Sequence, residues 1–156
     1  MLPLSRMLAI AGLAFLLAVP AQAQSEAAHP DLSGIWMLNV ARTDLPKHSD
    51  FKSETIVVTS SGRAIRFVYT FDGRAGITAT YTTDGEKHDG QVFSDRKLVS
   101  KASWKNSTLE TEDLVVSLAN GRVLHDLRID WKLSSDGRML TREVHYPKLV
   151  AVFDKQ

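Results

Sequence analysis

Five histidines, His29, His48, His88, His125 and His145, are the side chains here best suited to hold a metal or move a proton near neutral pH. Zinc or another transition metal needs three or four converging ligands. No His-x-His, His-x3-His or Glu-x2-His spacing puts two of them on one face of an element, so no metal site is expected. The acidic, glycine-bearing "DGEKHDG" at 84–90 lacks the ligand order of a calcium loop and reads as a solvated turn. Covalent catalysis has no cysteine and no G-x-S-x-G serine to use. In "LETEDLVV", Glu110 and Glu112 share one face of a strand, where carboxylates keep an outer surface soluble. His125 lies between Val123 and Leu127 on an apolar face, so it is either a hydrogen-bonded core or rim histidine or a group that orients the polar end of a ligand. The chain shows no glycine-rich phosphate loop, and the sequence assigns no catalytic residue and no cofactor. A small barrel enzyme of isomerase or hydrolase type, with His125 or a rim carboxylate as base, stays open as an alternative.

These residues sit on elements with a period of two. "AIRFVYTF" sends Ile65, Phe67, Tyr69 and Phe71 to one face, with Arg66 and Thr70 on the other. "VLHDLRIDWKL" sets Val123, Leu127, Ile129, Trp131 and Leu133 against Asp126, Arg128, Asp130 and Lys132. Turn sequences separate the runs: "SSGR" at 60–63, "DGRAG" at 72–76, "DGEKHDG", "KNS" at 105–107, "NG" at 120–121 and "SSDG" at 134–137. The best helical candidate is a short turn from Asn39 to Leu45, closed by Pro46. The class is all-β, with eight or nine strands in succession. So long an antiparallel meander in one small domain either closes on itself or splits into two sheets. An immunoglobulin-type sandwich needs longer crossovers than these turns allow, so an up-and-down barrel is expected.

Met1 to Ala23 carries Arg6, the apolar run "MLAIAGLAFLLAV", Pro20 and the small-residue ending Ala21-Gln22-Ala23, the pattern of a secretory signal peptide. The apolar run, as a helix, reaches roughly 20 Å, short of a bilayer core of about 30 Å, so no transmembrane anchor is expected after cleavage. The organisation that follows is a leader at 1–23, a flexible segment at 24–30 and one domain at 31–156, exported to the periplasm of a bacterium or beyond. With no cysteine, that domain has only its core to hold it together. The whole chain has 19 basic and 18 acidic residues, and loss of Arg6 with the leader balances them. Charges of both signs are interspersed, which gives nucleic acid and anionic lipid no patch to bind.

The stretch "LSGIWMLN" opens the first strand with Gly34 two residues before Trp36. It resembles the G-x-W signature of lipocalins and the wider calycin group. That resemblance implies that the tryptophan packs across the closed end of a barrel and that an arginine from a late strand lies over its ring. Arg142 in "RMLTREVHY" matches the arginine position, making Gly34, Trp36 and Arg142 a structural barrel-end set. The chain also looks like small secreted bacterial lipocalin-like proteins through "DLSGIWMLN", "SKASWKNSTL", "WKLSSDGRMLTREVHY" and "AVFDKQ".

An eight-strand barrel is wide enough either to be filled by its side chains or to hold one small molecule. If it holds one, Phe67, Tyr69, Tyr81, Trp104, His125 and Trp131 form the expected interior, and a small hydrophobic or amphipathic ligand suits them. The alternative is a solid barrel that presents its surface to an envelope partner. Oligomeric state is not encoded in any pattern of the sequence.

Overall fold

The computed structural model describes residues 29–44 and 52–156. The expected signal peptide, and the expected 24–30 segment apart from His29 and Pro30, lie outside these residues. Ten antiparallel strands follow one another: β1 (Gly34–Leu38), β2 (Glu54–Ser61), β3 (Ala64–Phe71), β4 (Arg74–Thr82), β5 (Lys87–Val92), β6 (Arg96–Lys105), β7 (Thr108–Ser117), β8 (Val123–Leu133), β9 (Met139–Val144) and β10 (Leu149–Lys155). Among the described residues a 3-10 turn, Val40–Arg42, is capped by the Asn39 side chain, inside the span where a short helical turn is expected. Among the described residues there is no α-helix.

The sheet order β4-β3-β2-β1-β10-β9-β8-β7-β6-β5 is a meander whose first and last strands meet, Trp36 opposite Lys155 and Leu38 opposite Phe153. Pairing the termini covers the two strands that would be the edges of an open meander and leaves β4 and β5 as edge strands instead. The one unpaired seam lies between β4 and β5. The barrel therefore has ten strands rather than eight or nine, and β5 is the strand that the sequence hides. Every residue of "KHDGQV" is exposed, so neither face of β5 carries an apolar repeat.

One end of the barrel is packed solid. Trp36 is fully buried, and its indole Nε1 donates to the Leu32 carbonyl at 2.9 Å, which fastens the incoming chain across the end. Ile56, Val58, Ile65, Leu109, Leu140 and Phe153 belong to the same buried core. Gly34 begins β1 at φ 149°, a backbone that L side chains rarely adopt, and a Cβ there would sit 3.0 Å from Lys155 Cε. The glycine of the G-x-W stretch thus lets the Lys155 stem lie across the barrel end, with its Nζ 5.3 Å from the centre of the Trp36 ring.

Arg142 does not occupy that position. Its guanidinium lies 5.2 Å from the Phe153 ring centre and 6.0 Å from that of Trp131, and it is held by an acid on another strand. Pairing of β1 with β10 puts Lys155 next to Trp36, whereas Arg142 on β9 is one strand too far away.

Candidate ligand-binding site

Above the packed end, the side chains stop filling the interior. Phe67 and Trp131, with ring centroids 4.7 Å apart, form a floor, and Tyr81 meets Phe67 edge-on at 5.9 Å. Over this floor lies a cavity of about 190 Å³ that opens toward the other end of the barrel. Its apolar wall comes from Phe71 on β3, Ile77 and Ala79 on β4, Leu127 and Ile129 on β8, and Val144 on β9. Tyr69 stacks on Phe71 at 6.3 Å and turns its ring into the same space. The volume is below the roughly 300–1,000 Å³ of drug-sized sites and suits a short molecule, or one that protrudes from the mouth.

Two polar clusters face this cavity. In the first, Arg142 on β9 grips Glu54 on β2: Nη2 donates to Oε2 at 2.9 Å and Nη1 donates to Oε1. Glu54 is wholly buried, so the bidentate geometry is what makes the burial of either charge tolerable. Ala151, directly opposite Arg142 on β10, is small enough for the guanidinium to pass over it. In the second cluster, the Asp113 carboxylate on β7 accepts from the Tyr81 hydroxyl at 2.7 Å and from Ser100 Oγ on β6 at 2.7 Å. That acid ties β4 to β6 and β7, the side-chain bridge across the seam that the backbone leaves unpaired.

Burial lifts the Tyr69 hydroxyl well above the ordinary tyrosine range. Tyr81 is lifted further, first by burial and then by the charge and hydrogen bond of Asp113. Both rings are therefore neutral donors over the whole physiological range. Arg142 Nε and Trp131 Nε1 are buried without a hydrogen-bond partner.

No family model matches the sequence, and no curated protein matches it. Solved structures do. Human cRBP IV superposes with a TM-score of 0.56 at 18% identity, covering 81% of this chain and 99% of that one. The REP1-NXSQ fatty acid transporter gives 0.55 at 9% identity, covering 80% and 96%. The Echinococcus granulosus fatty-acid-binding protein 1 gives 0.54 at 14% identity, covering 79% and 96%. The fold is that of a calycin-type β-barrel.

Within this barrel the residues singled out from the sequence go to different places. Tyr69 and Tyr81 line the cavity, while Phe67 and Trp131 lie beneath it in the packed floor. Trp104 is half-buried at the closed end, stacked on His29 at 4.8 Å. His125 is exposed and lines no part of the cavity. The reason is the length of β9, which ends opposite Ile129 and leaves the first half of β8 standing beyond the wall. A register shift between Val115 and Val116 of β7 adds to this, and Val123 and Leu124 are exposed as well. The alternation that puts His125 on the inner face holds, but at that height there is no interior.

Glu110 and Glu112 face outward, as expected of solvated carboxylates. They line a larger groove of about 260 Å³ on the outer surface with Lys101, Arg128, Asp130 and His145. Four of its groups are paired across the groove, Arg128 with Glu112 at 2.9 Å and His145 with Asp130 at 3.1 Å. Among the described residues no cluster of acids and histidines could hold a metal ion.

Sequence reading missed Asp113 as a cavity residue, and missed Glu54 and Ser100 as the partners that hold Arg142 and Asp113 in place. The signal for Glu54 was present: it precedes Ile56 and Val58 at the inward period of β2, as Arg142 follows Leu140 on β9. Opposite charges at inward positions of two strands point to an internal ion pair.

Proposed function

We propose that this protein is an exported, non-enzymatic barrel that binds one small hydrophobic or amphipathic molecule in its open half. The observation that carries the reading is the cavity itself, with apolar walls over an aromatic floor and polar groups at two fixed points. Solved structures of the same fold include a fatty acid transporter and a fatty-acid-binding protein, which supports a hydrophobic cargo. Export rests on the leader at Met1–Ala23, and the compartment is the periplasm of a bacterium or the space outside it.

The test is native mass spectrometry of protein purified gently from its own compartment, with extraction of whatever is bound. A stoichiometric small molecule is the expected result. Empty protein whose melting temperature no lipid or aromatic compound raises would remove the reading. N-terminal sequencing of the same sample checks export, a chain starting at Gln24 being expected.

A second reading, an interaction module of the envelope, is favoured by the apolar side chains exposed at the end of β5, in the β5–β6 and β7–β8 turns and at the start of β8: Val92, Phe93, Leu118, Val123 and Leu124. It predicts a partner that crosslinks through these residues.

A further inference from the structure

We infer that the cavity selects an uncharged amphiphile with a hydroxyl head and rejects a carboxylate of the same chain length. This inference rests on the binding reading above and names the ligand class for the same site. The cation that lines the cavity, Arg142, already has its bidentate face turned to Glu54. Both of its terminal nitrogens donate to Glu54, whose carboxylate is wholly buried and makes the planar two-bond match that an arginine would otherwise offer to an incoming acid. A ligand carboxylate would have to displace Glu54, stranding a buried anion, or remain unpaired beside a pair that is already neutral.

The other polar point of the cavity is itself an acid. Asp113 lines the wall with one oxygen on the Tyr81 hydroxyl and the other on Ser100 Oγ. Glu54, Asp113 and Arg142 together leave the interior one charge negative, and a second anion is repelled. An uncharged hydroxyl meets no such opposition and has matching partners. Its proton can go to a carboxylate oxygen of Asp113, each of which has a further lone pair after its present bond. Its oxygen can accept from the hydroxyl of Tyr69, which lines the cavity and which burial keeps protonated. One hydroxyl is donor and acceptor at once, whereas a carboxylate brings acceptors only.

The experiment compares octan-1-ol with octanoate at pH 7.5 by displacement of the uncharged probe N-phenyl-1-naphthylamine, repeated on the Glu54→Gln and Asp113→Asn variants. The alcohol is expected to bind at least tenfold more tightly than the acid, and each substitution, by removing one negative charge, to narrow that ratio at least fivefold. Asp113→Asn carries the test if Glu54→Gln fails to fold. Octanoate binding as tightly as octanol to the unaltered protein, or a ratio that neither variant moves, overturns the selectivity while leaving the binding barrel standing. A protein that takes up neither the probe nor either ligand overturns the binding reading and the selectivity with it.

Discussion

Glu54 and Arg142 illustrate how much a single buried pair can determine. Removing one partner leaves an uncompensated charge in the interior, which in proteins costs about 3–5 kcal/mol. Glu54→Ala should therefore lower unfolding stability by about that amount in urea denaturation. Replacing both, as Glu54→Met with Arg142→Leu, should restore most of the loss or exceed the original stability, because well-packed apolar residues of similar size need no desolvation. A double variant no more stable than Glu54→Ala would show that the pair contributes through its contacts rather than through charge. Tyr69 and Tyr81 give a second handle at this scale. Their hydroxyls are held protonated above the ordinary tyrosine range of about 10. Between that value and their raised ones the unfolded chain sheds protons that the folded one keeps, so stability is full below pH 10 and falls as pH rises past it. Absorbance at 295 nm should accordingly report at most one of the chain's three tyrosines while the protein is folded, with the other two appearing together as it unfolds in alkali. Two rings ionising in the folded protein would place one of the buried hydroxyls in water.

At the scale of elements, the alternation of apolar and polar side chains made most strands readable, and the "DG" and "NG" pairs made the turns readable. What escaped is what alternation cannot carry. β5 is polar on both faces and reads as loop, and the overhang of β8 depends on where the partner strand β9 stops. The cation over Trp36 follows from the β1–β10 pairing, a contact between the two ends of the domain that no local pattern records. The β3–β4 hairpin is a similar case. Its register shifts between Val68 and Thr70, so that Tyr69 stands opposite an extra residue in β4. Gly76 fills that bulge, and a Cβ there would meet the Tyr69 carbonyl oxygen at 2.8 Å and the Phe71 ring at 2.7 Å. Because the backbone atom cannot yield cheaply, Gly76→Ala should cost about 1–3 kcal/mol, in the range of core overpacking. It should also weaken binding of the N-phenyl-1-naphthylamine probe, since Tyr69 and Phe71 are cavity walls. A variant of unchanged stability and unchanged probe affinity would mean that the bulge relaxes freely.

For the molecule as a whole, the division into a packed half and an open half separates what stabilises the fold from what the fold is for. Trp36, Phe67, Trp131 and Phe153 are essentially inaccessible to solvent and hold the barrel together without any disulfide. The cavity walls are less completely buried and contribute less to that core. Filling the cavity should thus abolish binding at little expense to stability, the reverse of what a substitution in the floor would do. Ala79, partly buried on the cavity wall, is the position for it. A ligand at a hundred times its dissociation constant should stabilise the unaltered protein by about 2.7 kcal/mol, visible as a rise of several degrees in melting temperature. Ala79→Phe should place a ring in the space, keep the melting temperature of the free protein within a few degrees and remove the ligand-dependent rise. If the rise persists in this variant, the ligand sits outside the barrel, and the exposed apolar side chains beyond its mouth become the place to look.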